Sequence, residues 1–168
     1  MLLIKQFADT AAIASDQLSL TFDARCKTHL HETLQSGEAC GVRLPRGTVL
    51  RCGDKLLAED GRIVEVVAAP EALMEVRCDQ PLLLAKAAYH LGNRHVAIAI
   101  EADRICFNAD SVLGAMLQGL GLRATEINAP FEPEHGAYGG HIAHGHHDAE
   151  AGAGAKIHEH ASHEHLKK

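Results

Sequence analysis

The order of apolar and polar residues divides the chain into three stretches. Up to about residue 70 the pattern is that of strands. LSLTF (18–22), GVRLP (41–45), TVLRC (48–52) and RIVEVV (62–67) alternate in period two, each bounded by turn-forming residues. Turn signals recur at Cys52–Lys55 and at Ala58–Arg62, the latter carrying the Asp60-Gly61 pair favoured in tight hairpins. Short strands with frequent turns predict a small barrel or sandwich. After Pro70 the pattern changes. ALMEVRCD (72–79) reads as a strand, and Pro81 suits the first position of a helix over PLLLAKAAYHLGNR. Its apolar face is Leu84, Ala87, Ala88 and Leu91, and Gly92 is placed just past its end. HVAIAIEAD (95–103) and RICFN (104–108) follow as strands. Asp110 or Ser111 then caps a second helix with the face Leu113, Met116, Leu117 and Leu120, ended by Gly121. A last strand, ATEINAPF (124–131), completes the order β-α-β-β-α-β of the ferredoxin-like arrangement.

The expected fold class is therefore α+β. A small all-β domain over 1–72 is followed by a ferredoxin-like βαββαβ domain over 73–133. From 134 to 168 apolar periodicity is lost. Gly, Ala, His and Glu dominate there, and such a segment cannot bury enough apolar area to offset its ordering entropy. It is expected to be a flexible His-rich tail.

Composition narrows the function. A formal charge of −6 over 168 residues argues against nucleic-acid binding and against an anionic membrane surface. No apolar run approaches the roughly 18 residues of a membrane span, and the opening residues lack the build of a signal peptide, so a soluble cytoplasmic protein is expected. Five cysteines (Cys26, Cys40, Cys52, Cys78, Cys106), odd in number and without CxxC, form neither a disulfide framework nor a thiolate zinc site. Each reads as a small buried residue. No phosphate-binding loop, dinucleotide fingerprint or nucleophile elbow occurs, so catalysis is not expected.

Histidine departs from the ordinary. Of thirteen, nine lie in the last 34 residues. They include two clusters, His141/His144/His146/His147 and His158/His160/His163/His165. Neutral imidazole suits Ni²⁺, Zn²⁺ and Cu²⁺, and in a mobile segment these spacings wrap an ion without a fold. A purification tag or a passive acidic tail is the bland alternative, and against a tag the histidines are interrupted by varied residues and followed by LKK. HEHASHEH does not make the HExxH metalloprotease motif, because Ser162 stands where the second His is required.

Within the folded part, His95 is the sharpest position. If a strand starts there, His95, Ala97, Ala99 and Glu101 share one face and Val96, Ile98 and Ile100 the other. One imidazole is a poor site, since nickel takes about four to six donors. A two-fold axis through this face would bring two copies of His95 together. On this pattern alone a satisfied surface or core histidine is the more common outcome. His90, near the helix end, is a weaker candidate. His29 and His31 share one face of a strand, which reads as exposed. A metal-dependent hydrolase would need a carboxylate or His base beside an open metal position; Glu101 is on the face of His95, but this reading is not the expected one.

LPRGTVLRCGDKLLAEDG, AYHLGNRHVAIAI, DSVLGAML and PFEPEHGAYGGH followed by histidines together resemble the urease accessory protein UreE family over essentially the whole chain. The resemblance implies a homodimeric nickel metallochaperone, with a β-rich domain that contacts peptides or partners. It implies a ferredoxin-like domain that dimerises and holds nickel at the interface through the histidine of GNRH, here His95. The ion would pass to the urease apoprotein complex through the urease accessory GTPase. Some members carry further histidines before the second helix. The matching stretch Phe107–Ser111 has none, so that secondary site is expected to be absent here. The alternative from another class is a nickel or zinc store with no delivery role.

Overall fold

The computed structural model describes residues 1–135, which carry ten strands and three helices. Strands β1 (Leu2–Phe7), β2 (Asp16–Leu20), β3 (His29–Thr33), β4 (Ala39–Arg43), β5 (Lys55–Ala58) and β6 (Ile63–Ala68) form one sheet in the order β2-β6-β5-β1-β4-β3. The β1–β4 and β2–β6 pairs are parallel and the others antiparallel. Alternation in β6 buries Val64, Val66 and Ala68, and Val64 and Val66 join a core with Ile4, Leu18, Val42 and Leu56. Gly61 turns the β5–β6 hairpin at φ +87°, a conformation that costs other L-residues energy. The sheet curls until its edges approach, and the Gln35 N–H donates to the Gln17 carbonyl at 2.9 Å.

Two expected strands differ here. LSLTF stops being a strand at Leu20, because the Thr21 hydroxyl accepts from the Ala24 N–H and starts the short helix α1 (Phe22–Arg25). TVLRC is not a strand. Leu50 is buried, but its N–H bonds the Arg25 carbonyl and that of Arg51 bonds the Asp54 carboxylate, so no ladder forms.

The second sheet takes β7 (Pro70–Arg77), β8 (Ile98–Ile100), β9 (Arg104–Asn108) and β10 (Ala124–Pro130) in the order β10-β7-β9-β8, all antiparallel. With α2 (Pro81–Gly92) and α3 (Ser111–Gly119) this is the expected ferredoxin-like arrangement. Pro81 opens α2, and the Asp110 carboxylate caps α3 by accepting from the Val112 and Leu113 N–H groups. Leu84, Ala87, Leu91, Leu113 and Leu117 pack on Met74, Val76, Ile105 and Phe107. The opposite face carries Leu73 and Cys106, covered by Phe131, with Ala97, Ala99, Ile127 and Ala129 around them. Phe22 of α1 meets Phe131 edge-to-face at 5.7 Å. Of the cysteines, Cys40 and Cys106 are buried as expected, while Cys26 and Cys52 are exposed. Both sit in loop structure, Cys26 at the end of α1 and Cys52 in the turn before β5.

Candidate metal centre

The end of α2 sets the geometry of His95. The Val96 N–H returns to the Leu91 carbonyl at 3.3 Å and the His95 N–H to the Gly92 carbonyl at 2.9 Å. These are the two bonds of a Schellman motif, whose penultimate residue must be left-handed. His95 is that residue, at φ +56°, and is the sole non-glycine with positive φ among the described residues. Val96 packs against the core cluster that contains Leu91, in keeping with the apolar contact that accompanies the motif. The side chain of His95 is exposed. The expected strand from His95 is thus shortened to Ile98–Ile100, because the helix cap uses the residues before it, and Gly92 is the last helical residue rather than the one beyond. Alternation still holds for the next four residues: Val96 and Ile98 lie toward the helices, Ala97 and Ala99 on the opposite face.

The end of α3 makes a direct comparison. Leu122 N–H returns to Leu117 and Gly121 N–H to Gln118, both near 3 Å, and Gly121 has φ +83°. The same motif closes both helices. One carries the residue the backbone favours, and the other carries a histidine.

Around His95 the donors are few. The Arg94 guanidinium lies 2.9 Å from the Met116 sulfur, and His90 makes an edge contact with Tyr89 at 5.3 Å between ring centroids. Glu101 is tied to Arg104, whose hydrogen bond holds its carboxyl below the usual carboxylate range, so it is not a free base. His29 and His31 are exposed on β3. Burial pushes the Cys40 and Cys106 thiols up, which disfavours the thiolate a metal needs. Among the described residues no three His, Cys, Asp or Glu side chains come together as a metal site. His141, His144, His146, His147, His158, His160, His163 and His165 lie outside the described residues.

Sequence reasoning missed one cluster entirely. Arg25, fully buried, donates to both oxygens of Glu132 at 2.8 Å, and also to the Phe131 and Leu50 carbonyls. Arg51 donates to Glu132 at 3.0 Å and to the Pro133 carbonyl at 2.8 Å, while the Cys52 N–H adds a bond of 3.0 Å. Both guanidiniums stand over the Phe22 ring. Burial alone would raise the Glu132 carboxyl, but the bonds from Arg51, Cys52 and Arg25 outweigh it and hold it below the usual range. The one sequence signal was that Phe131–Glu134 belongs to the stretch resembling a family motif. Glu134 N–H then donates to the Ile98 carbonyl at 2.8 Å, so the described chain ends at the β8 edge, with exposed His135 its last residue.

Comparison with known proteins gives one answer. The family model of the UreE urease accessory protein, N-terminal domain, matches residues 4–69, and that of the C-terminal domain matches 71–166. A urease accessory protein UreE from Burkholderia vietnamiensis is 54% identical over 129 residues, covering 77% of this chain and 64% of that protein. One from Ralstonia nicotianae is 53% identical over 130 residues, covering 77% of this chain and 62% of that protein. The matched stretch thus spans under two thirds of these two relatives. A third, from Dechloromonas aromatica, is 47% identical over 150 residues, covering 86% of this chain and 85% of that protein. With both domain models matched in order along the chain and curated relatives at about half identity, the chain belongs to the UreE urease accessory protein family.

Proposed function

We propose that this protein is a nickel metallochaperone that binds Ni²⁺ through histidines and delivers it to urease during maturation, without itself breaking a substrate bond. Family membership supports the urease role. One observation supports His95 as the ion's anchor. It occupies the left-handed position of a helix cap where the equivalent cap uses Gly121, so folding alone does not favour a histidine there. The cap also presents an exposed imidazole on a rigid turn, which suits a site that must take up and hand on its cargo.

A single His95 cannot saturate nickel. Two further sources complete the set in this reading: His95 of a second copy across a two-fold axis, and tail imidazoles from the clusters at 141–147 and 158–165. Zn²⁺ and Cu²⁺ fit the same nitrogen donors. We divide the chain into a partner-binding domain over 1–72, a dimerising metal domain over 73–133 and a metal-collecting tail over 134–168. The partners are the urease accessory GTPase and the urease apoprotein complex, in the cytoplasm.

The deciding experiment pairs two measurements on the full chain. Calorimetry with Ni²⁺ should find the tightest site lost in His95→Ala with the dimer retained. Co-purification should find a nickel-dependent complex with the urease accessory GTPase. Tight binding that survives His95→Ala overturns the site, and the absence of any such complex points to a storage protein instead.

A further inference from the structure

The strap from Phe131 to Glu134 is fixed at every residue. Phe131 is buried, and Arg25 binds its carbonyl. Glu132 receives bonds from Arg25, Arg51 and the Cys52 N–H. Pro133 is buried and gives its carbonyl to Arg51. Glu134 gives its N–H to Ile98 at 2.8 Å, on the side of β8 away from β9. Arg25 is the one charged side chain that is fully buried among the described residues, and removing such a group from water is costly unless it is well paired. Two arginines converging on one carboxylate make a fixed point, and that fixed point lies three residues before His135.

The strap ends close to His95. Ile98 follows His95 by three residues, and extended chain spans at most about 3.3–3.6 Å per residue. The Glu134 amide therefore lies within roughly 15 Å of the His95 backbone, a gap that one more residue and two imidazole side chains can bridge through a shared ion. We infer that His135 ligates the ion held by His95, and that Glu132, clamped by Arg25 and Arg51, is the positioning residue that keeps it there. The inference rests on the nickel reading above. It separates His135 from the later tail histidines on physical grounds. Those from His141 onward must close a loop to reach His95, whereas His135 leaves an ordered strap and forgoes little chain entropy.

The test uses the full chain, with Ni²⁺ alone titrated against a competing chelator. His135→Ala should weaken the tightest site about tenfold even with every later histidine in place, and X-ray absorption should count fewer imidazoles per nickel, up to one for each protomer. Glu132→Gln should weaken the same site by up to about tenfold, no more than the loss of His135 itself, as expected of a residue that orients a metal ligand. Glu134→Pro removes the amide that bonds Ile98 and should act in the same direction, whereas Glu134→Ala, which loses the carboxylate but keeps that amide, should not, so a folding defect in Glu132→Gln does not decide the matter. In a His95→Ala background the three weakening changes should have no further effect on affinity. Unchanged affinity in His135→Ala, or equal losses with and without His95, would overturn the inference. If His95→Ala itself keeps the tight site, the nickel reading falls as well. If His95→Ala loses it and His135→Ala does not, only the role of His135 falls.

Discussion

Two helix ends of identical design, one closed by His95 and the other by Gly121, separate what folding asks from what function asks. An L-residue in the left-handed region costs about 1 kcal/mol relative to glycine. His95→Gly should therefore stabilise the protein by up to about 1 kcal/mol, or roughly 2–4 °C in Tm, while the tight nickel site is lost. His95→Ala should lose the site without the gain, since alanine keeps the strain. Paired melting and nickel titrations check this, and a His95→Gly variant no more stable than His95→Ala would contradict it. Glu132 gives a second expectation at this scale. Its carboxyl lies below the usual range in the folded protein, so the unfolded chain takes up the proton first as pH falls. The carboxylate contributes stability above about pH 4.3 that fades as the solution acidifies through its folded value. Urea unfolding from pH 6 to pH 3 should show a shallower loss in Glu132→Gln, which starts less stable.

Among the elements, α2 and α3 were legible because their apolar residues recur at helical spacing over two or three turns, and the residues of those faces form the core between helices and sheet. Strands β7, β9 and β10 pair as their order implied, although β7 and β9 bury consecutive residues because both faces of the sheet are covered. The failures share a cause. TVLRC has strand alternation, but its amides bond loop and carboxylate partners, and α1 is a single turn too short for periodicity to reveal. His95 stood out as a residue, yet its left-handed cap was hidden because glycine is the usual signal for one. The Arg25–Glu132 pair joins positions 107 apart, which local pattern does not encode. The capping chemistry itself is unequal. Asp110 caps α3, whereas Gln80 at the start of α2 makes no side-chain cap bond although its backbone is extended there. Gln80→Asp should add about 1 kcal/mol by supplying that bond and a negative charge at the helix N-terminus. Urea midpoints of the two proteins measure it.

For the whole molecule, the question is how a few fixed donors and many tail donors share the metal. Ending the chain after Ala137 keeps His95 and His135 and removes eight tail histidines. Nickel capacity should fall to one weakened site per dimer, read by equilibrium dialysis, and a truncated chain that binds as many ions as the full one would rule out the tail as a reservoir. The strap has another consequence at this scale. β8 is an edge strand of three residues, and the Glu134 amide occupies an acceptor on its open side while Phe131 covers Leu73 and Cys106 beneath. An unpaired edge beside bare apolar surface is a template for pairing with other chains. A chain stopped at Pro130 should therefore scatter light increasingly with concentration and time, whereas one stopped at Ala137 stays clear, which makes the strap a guard against aggregation.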